Sequence, residues 1–132
     1  MPRLRVVALG AKLPAWAEEA CAEYVKRMPR GYEVERRRAK PGRFAPPKQS
    51  RLVALDERGE AMTTEEFAGL LKGETTFLVG GPDGLDESVK KDAALLLRLS
   101  SMTLPHALAQ VVLIEQIYRA ATLLTGHPYH RA

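Results

Sequence analysis

The stretch Glu74-Thr75-Thr76-Phe77-Leu78-Val79-Gly80-Gly81-Pro82-Asp83-Gly84 decides the fold class of this chain. Its first six residues are mostly β-branched or apolar, which predicts a buried strand, and the glycine-proline cluster after them predicts a sharp turn. Asp86 or Ser88 can then cap a short helix. A strand that passes through a turn into a helix is typical of α/β proteins.

The same alternation extends outward along the chain. Strands are predicted at residues 3–9, 32–38, 51–55 and 95–99, with Asp56 at the end of the third. Helices are predicted at 14–28, from Thr63 or Thr64, and at 105–125, where Pro105 takes the first position and Gly126 ends the helix. The proline-rich residues 39–50 form a loop. We predict one α/β domain, residues 1–132, with a largely parallel sheet.

Composition is that of an ordinary globular domain, with 45% apolar and 27% charged residues among 132. Cys21 is the only cysteine, so an internal disulfide is excluded and a buried apolar role is expected. The N-terminus enters a strand without a signal-peptide pattern, and polar residues interrupt the apolar run 107–124. We therefore expect a cytoplasmic location and no membrane contact.

Charge is concentrated in one segment. Residues 26–51 contain ten Lys or Arg against two Glu, a net charge of +8 in a chain whose total is +4. Such a block fits a polyanion, of which nucleic acid is the usual example for a soluble protein. A solvated basic loop without a partner is an equally good interpretation of charge alone.

The last predicted helix is apolar around most of its circumference, apart from a stripe containing Glu115, Gln116 and Arg119. A helix of this kind must be buried on more than one side. The sheet can cover one side, and the second side predicts a homodimer, with two-fold symmetry the commonest arrangement.

Three segments contain candidate functional residues. The glycine loop at Gly80 has neither GxGxxG nor a P-loop lysine, so its isolated pattern favours a turn with a helix cap. Residues 99–106 could wrap an adenine through backbone hydrogen bonds. Glu115 and Arg119 fit an intrahelical ion pair, although Arg119 could also bind a phosphate.

The end of the chain concentrates hydrogen-bonding groups, in His127-Pro128-Tyr129-His130-Arg131. The third histidine is His106, at the start of the last predicted helix. The spacing of the histidines and the lack of cysteine or carboxylate companions match no common metal site, so we predict none.

Five blocks together resemble one known family from end to end. They are residues 6–14 (Val-Val-Ala-Leu-Gly-Ala-Lys-Leu-Pro), 77–85 (Phe-Leu-Val-Gly-Gly-Pro-Asp-Gly-Leu), 99–106 (Leu-Ser-Ser-Met-Thr-Leu-Pro-His), 115–120 (Glu-Gln-Ile-Tyr-Arg-Ala) and 127–131 (His-Pro-Tyr-His-Arg). Their order and spacing are similar to the RlmH family of large-subunit (23S) rRNA pseudouridine N3-methyltransferases, in the SPOUT superfamily.

The resemblance implies a homodimeric SPOUT-type α/β knot, with a C-terminal trefoil knot. It also implies an enzyme that uses S-adenosyl-L-methionine to methylate a pseudouridine of the assembled ribosome. By similarity, the cofactor-binding residues are Leu55, Gly80, Leu99, Ser100, Ser101, Met102, Thr103 and Leu104. The candidate catalytic residues are His130 as the base, Arg119 or Arg131 as the anion-binding group, and His106 and Tyr129 as walls of the base pocket.

The chain departs from the family between its second and third predicted strands. The family usually has a longer, helix-containing segment there, whereas this chain has only residues 39–50. This difference concerns the RNA-contacting surface more than the cofactor site. Two alternatives stay open: another SPOUT methyltransferase acting on tRNA, and a non-catalytic ribosome-binding factor.

Overall fold

The computed structural model describes residues 4–10 and 12–130, without the side chain of His130. In the described part, the strands are β1 (Leu4–Leu9), β2 (Val34–Ala39), β3 (Arg51–Ala61), β4 (Thr75–Val79) and β5 (Leu95–Arg98). The helices are α1 (Ala15–Lys26), α2 (Thr64–Ala68), α3 (Glu87–Asp92) and α4 (His106–Thr125). Short 3₁₀ turns lie at Gly69–Leu71 and Pro128–His130.

The strands form one sheet in the order β2-β1-β4-β3-β5, and every neighbouring pair is parallel. This confirms the predicted α/β architecture with a parallel sheet. The chain passes from β3 to β4 on one side and then crosses back over β3 to β5. The direction in which the chain crosses the sheet therefore reverses at β4, and such a reversal places a crevice at the carboxyl ends of the strands.

The sheet is covered on both faces. On one face, α1, α2 and α4 pack over a large core that includes Phe77, Leu113 and Ile117. On the other face, a smaller core around Leu78 lies beneath Phe44 of the loop 39–50 and the α3 region. Burial on two faces explains why β4 is continuously apolar rather than alternating.

Strand β3 is longer than predicted, because it continues from Leu55 to Ala61 rather than ending at Asp56. Its pairing with β5 shifts register, since both Leu55 and Glu60 lie opposite Leu97. The intervening residues are charged and match no buried-strand pattern, which is why the extension was missed. The bulge turns Asp56 and Glu57 toward the carboxyl edge of the sheet.

Helix starts differ from the prediction by one residue. Pro14 and Pro105 are N-caps with extended backbone, so α1 begins at Ala15 and α4 at His106. Thr63 caps α2 and forms a full capping box with Glu66. Asp86 occupies the N-cap of α3, but its side chain accepts no capping hydrogen bond.

Cys21 is fully buried in α1, as predicted, and burial raises the pKa of its thiol. Helix α4 is long and apolar enough to cross a membrane by length and composition, and half of that stretch is buried within the fold. Leu108 on α4 and Trp16 on α1 remain exposed.

Candidate active site

A concave site, the main cavity, lies at the carboxyl ends of β3, β4 and β5 and has a volume of about 650 Å³. Its walls come from the β3 bulge, from the glycine loop after β4, and from the segment between β5 and α4. This is the edge at which parallel α/β sheets bind ligands, and the volume suits a cofactor-sized molecule.

The glycine loop is compact because its backbone folds closely against itself and against the end of β1. The Gly84 amide donates to the Gly81 carbonyl at 2.9 Å, and Gly84 has a φ of +77°. A Cβ on Gly80 would lie 2.9 Å from the Gly84 carbonyl carbon, and one on Gly81 would lie 3.0 Å from the Leu9 oxygen. The loop therefore offers bare backbone, rather than side chains, to the main cavity.

The segment after β5 supplies another wall. The Met102 amide donates to Ser100 Oγ at 2.9 Å, which shapes the turn before α4. Seven of the eight predicted cofactor-binding residues line the main cavity: Leu55, Gly80, Leu99, Ser100, Met102, Thr103 and Leu104. Ser101 is not among the lining residues. His106, the first residue of α4, lines the cavity as well.

An ion pair lies in the wall of the main cavity. Lys90 Nζ contacts Asp56 Oδ2 at 3.1 Å and Glu87 Oε1 at 3.6 Å. The pKa of Asp56 is lowered, first by the hydrogen bond from the Arg58 amide and then by Lys90, while Asp56 raises the pKa of Lys90. The pair ties α3 to the β3 bulge, and sequence reasoning did not connect these residues.

Arg98, at the end of β5, also lines the main cavity. Its Nε is buried and has no hydrogen-bond partner among the described residues. Buried donors are normally satisfied, so this atom is a candidate contact for a bound ligand. The predicted strand 95–99 includes Arg98, but the sequence offered no signal for its role.

A second polar cluster, the tail cluster, joins the C-terminal turn to α4. Arg119 binds Glu115 Oε2 through Nε at 3.1 Å and through Nη2 at 2.9 Å, so the predicted intrahelical pair is present. The Tyr129 hydroxyl donates to the same carboxylate at 2.9 Å, and Arg119 stacks 5.1 Å from the Tyr129 ring centre. Tyr118 packs edge-on against that ring.

The surroundings of Tyr129 in the tail cluster keep its phenol in the neutral form. Burial, together with the hydrogen-bonding neighbours Tyr24 and Glu115, raises the pKa of Tyr129 well above its ordinary value. Tyr129 is therefore a hydrogen-bond donor at neutral pH and does not serve as a base.

The main cavity lies at the start of α4, whereas the tail cluster lies against its middle and second half. Glu115 follows His106 by nine residues, a rise of about 14 Å along a helix. The lining of the cavity extends along α4 only to Ala109. The structure thus brings His106 to the cavity and keeps Arg119 and Tyr129 apart from it within one chain.

The two other predicted catalytic residues cannot be placed in either site. The backbone of His130 belongs to the C-terminal 3₁₀ turn, but its side chain is outside the described part, and Arg131 lies beyond the described residues. Among the described residues, no group of three or more His, Cys, Asp or Glu side chains is arranged to hold a metal ion.

Comparison with known proteins agrees with this architecture. A family model described as "Predicted SPOUT methyltransferase" matches residues 2–130. A solved structure described as a probable methylase family protein from Haemophilus influenzae Rd KW20 aligns over 99% of this chain and 70% of its own, with a TM-score of 0.60 and 11% identity. That likeness concerns the fold alone.

Curated relatives match end to end. A "Ribosomal RNA large subunit methyltransferase H" of Polynucleobacter asymbioticus is 48% identical over 145 residues, and one of Paraburkholderia phytofirmans is 44% identical over 154. Each match covers 98% of this chain and 99% of the relative. The alignments exceed the 132 residues of this chain, so these relatives carry additional residues. The chain belongs to the SPOUT methyltransferases and, among them, to the family of ribosomal RNA large subunit methyltransferase H.

Proposed function

We propose that this protein transfers a methyl group from S-adenosyl-L-methionine to N3 of a pseudouridine in the large-subunit rRNA of the assembled ribosome. One observation carries the proposal: the match to relatives named as large-subunit rRNA methyltransferases spans both the main cavity and the C-terminal residues. The basic segment 26–51 suits the rRNA backbone.

The main cavity fits the proposed cofactor. Its volume lies in the range of small-molecule sites, and the bare backbone around Gly80 can hydrogen-bond an adenine edge. The exposed carboxylates of Glu57 and Asp83 tolerate a sulfonium cation, and the free Nε of Arg98 can donate to a polar group of the ligand. When bound, S-adenosylmethionine supplies an electrophilic methyl group on a cationic sulfur.

The chemical difficulty lies in the acceptor, because N3 of pseudouridine holds a proton at neutral pH and becomes a good nucleophile only on losing it. In our proposal His130 takes that proton as the N3–carbon bond forms and the carbon–sulfur bond breaks in line. Arg119 or Arg131 binds the phosphate or the uracil oxygens and favours the N3 anion. His106 and Tyr129 form walls of the base pocket.

These roles require a second copy of the chain. The tail cluster lies about 14 Å along α4 from the cavity end of its own chain, so the tail of one subunit can complete the cavity of its partner. The exposed Leu108 and the half-buried Val111 and Val112 leave an apolar face on α4 that a two-fold partner can cover. We propose a homodimer of single SPOUT domains, residues 1–132, each with a C-terminal trefoil knot, acting in the cytoplasm.

The test is methyl transfer from labelled S-adenosylmethionine to unmodified assembled ribosomes, with free large subunits and bulk tRNA alongside, followed by mapping of the labelled nucleotide. We expect label on one pseudouridine of the large-subunit rRNA. Label on tRNA instead would favour another SPOUT activity. If the protein binds the cofactor but labels none of these RNAs, its substrate is a different RNA. If it does not bind the cofactor, the alternative of a non-catalytic ribosome-binding factor is favoured.

Variants test the assignment of the base. We expect His130→Ala to lower kcat by at least about 100-fold, which is the usual contribution of a general base, with little change in cofactor affinity. If His130→Ala keeps near-normal turnover while Arg119→Ala loses it, the base assignment is wrong and the anion-binding group carries catalysis.

A further inference from the structure

A second concave site, the basic cavity, lies beside the first turns of α4 and is separate from the main cavity. It has a volume of about 250 Å³. Its lining residues are Val6, Ala8, Lys12, Leu13, Glu18, Arg36, Arg37, Arg38 and Gln110. Three of these residues belong to the basic segment 26–51, but no ligand has so far been assigned to the cavity itself.

The sheet register places the basic side chains in this cavity. Arg36 lies opposite Val6 and Arg38 opposite Ala8 in the parallel pairing of β1 and β2. Residues in register on parallel strands share a face, and residues two apart on a strand share it as well. Arg36 and Arg38 therefore lie on the sheet face that α1 and α4 cover.

Not all of these charges are already neutralised. Glu18 binds Arg36 through two hydrogen bonds of 2.7 and 3.1 Å, and Glu35 lies 3.2 Å from Arg37. Within residues 4–10 and 12–130, the side chains of Lys12 and Arg38 form no ion pair. The lining has four basic side chains against one carboxylate, Glu18, whose pKa is lowered first by Arg36 and also by the charges of Lys12 and Arg38. The cavity therefore keeps a net positive charge, and α1 begins beside it, with its N-terminal dipole adding positive potential.

Gln110 forms the inner wall. Its side chain belongs to a residue that is only 5% exposed, it lines the cavity, and its amide has no hydrogen-bond partner among the described residues. Its amide atoms are not among the fully enclosed side-chain atoms that lack a partner in the described part of the chain, so the amide is open to the cavity. An open amide in a cavity with a net positive charge suits an anion that accepts hydrogen bonds.

The geometry points to a phosphodiester group of the substrate RNA in the basic cavity, held by Lys12, Arg38 and Gln110. The cavity is too small for a nucleotide, and its lining contains no aromatic side chain on which a base could stack. Ala109 lines the main cavity and Gln110 the basic one, so the sites flank the same turn of α4. The phosphate would therefore lie next to the methylated nucleotide. This inference rests on the proposed function in taking RNA as the ligand.

Binding to unmodified assembled ribosomes, the substrate of the proposed reaction, tests the inference, by co-sedimentation over a range of salt concentrations. Arg38→Gln should reduce the slope of log affinity against log salt by about 0.7, which corresponds to about fivefold weaker binding at 0.1 M salt. Gln110→Leu should weaken binding about tenfold with an unchanged slope, because it removes a hydrogen bond to a charged group and no charge. Lys72→Gln is the control, since this exposed lysine lies beyond the amino ends of the strands.

The outcomes separate this inference from the proposed function. S-adenosylmethionine affinity and methyl transfer at saturating RNA should be retained in both variants. If both variants keep normal RNA affinity and methyl transfer, the inferred phosphate site in the basic cavity is wrong, while the proposed function stands. If the variants lose RNA binding and the unaltered protein labels no rRNA, the RNA-binding role of the basic cavity is supported and the proposed methyl transfer is rejected. A changed sedimentation coefficient would instead assign the cavity to a contact between copies of the chain.

Discussion

At the scale of single residues, Gly59 governs how the β3 bulge packs against β5. A Cβ at this position would lie 2.5 Å from the Leu96 carbonyl oxygen and 2.7 Å from the Leu97 nitrogen. These are backbone atoms of a paired strand and cannot move aside as a side chain could. The bulge carries Asp56 and Glu57, so the fit at Gly59 also determines one wall of the main cavity.

We therefore expect Gly59→Ala to lower the free energy of unfolding by about 1–3 kcal/mol, in the range of overpacked sites. Gly69→Ala is the matched control, because its added Cβ meets nothing within 4 Å and its backbone is helical. The control should be neutral or stabilise by about 0.4–1 kcal/mol. Urea unfolding of both variants checks this, and equal midpoints would mean that the bulge can relax.

A second residue-scale prediction concerns pH and Asp56. Its folded pKa is lowered, so its contribution to stability is complete above its ordinary value of about 3.9 and is lost as pH falls through the folded value. We expect Asp56→Asn to destabilise the protein at pH 7 by about 1 kcal/mol, as for a partly exposed ion pair, and much less at pH 3.

Urea unfolding at the two pH values checks this prediction. Asp92→Asn removes an exposed carboxylate of the same α3 helix and should show no such loss. If Asp56→Asn destabilised the protein equally at pH 3 and pH 7, the charge of Asp56 would not be the cause.

At the scale of elements, α4 connects the two candidate parts of the active site. It begins at the main cavity with His106 and ends at Gly126, which has a φ of +78°. The His127 amide donates to the Thr122 carbonyl at 2.9 Å and closes the helix end. This cap directs the chain back along α4, where Tyr129 meets Glu115.

We expect Gly126→Ala to destabilise the protein by about 1–2 kcal/mol through its left-handed backbone alone, because the added Cβ meets nothing within 4 Å. Gly126→Asn should recover much of this loss, since asparagine tolerates that conformation. Thermal unfolding and methyl transfer are measured together. If Gly126→Ala lowers methyl transfer and Gly126→Asn restores it, the helix cap determines the position of the tail. Equal stability of all three proteins would contradict the prediction.

At the scale of the whole molecule, the separation of the main cavity from the tail cluster predicts complementation between subunits. A variant with a blocked cavity, Gly80→Ala, is mixed with a tail variant, His130→Ala, after each is shown to be folded and inactive. If the tail acts in the partner's cavity, random mixing restores about a quarter of the wild-type sites. Methyl transfer by the mixture is the measurement. No recovery, in a mixture shown to contain mixed dimers, would place the whole site within one chain.

Much of the fold could be predicted from local pattern. The apolar strand before Gly80, the helix start at Thr63 or Thr64 and the apolar periodicity of α4 are short-range signals, and each element forms within about one residue of its predicted position. The second half of β3 was missed because its residues are charged and exposed, so its pairing with β5 leaves no trace in hydrophobic spacing.

The candidate site also has parts that were predicted from the sequence and parts that were not. The cofactor residues in the Gly80 loop and in residues 99–104 were predicted from the resemblance of consecutive blocks to a known family, because the isolated pattern of the Gly80 loop favours only a turn with a helix cap. Neither the pairing of Lys90 with Asp56 nor the position of the Gln110 amide in one cavity with Arg38 could be predicted from the sequence. These residues are far apart in the chain, and only the crossovers between strands bring them together.

The sequence by itself thus determined the α/β class, the order of strands and helices and the family, because these follow from the local periodicity and from blocks of consecutive residues. The tertiary structure alone decided the strand order β2-β1-β4-β3-β5, the two cavities on either side of α4 and the distance of the tail cluster from the main cavity. The physical reason is that local preferences act over one or two turns. The neighbours of a side chain across a sheet depend on how the whole chain crosses over it.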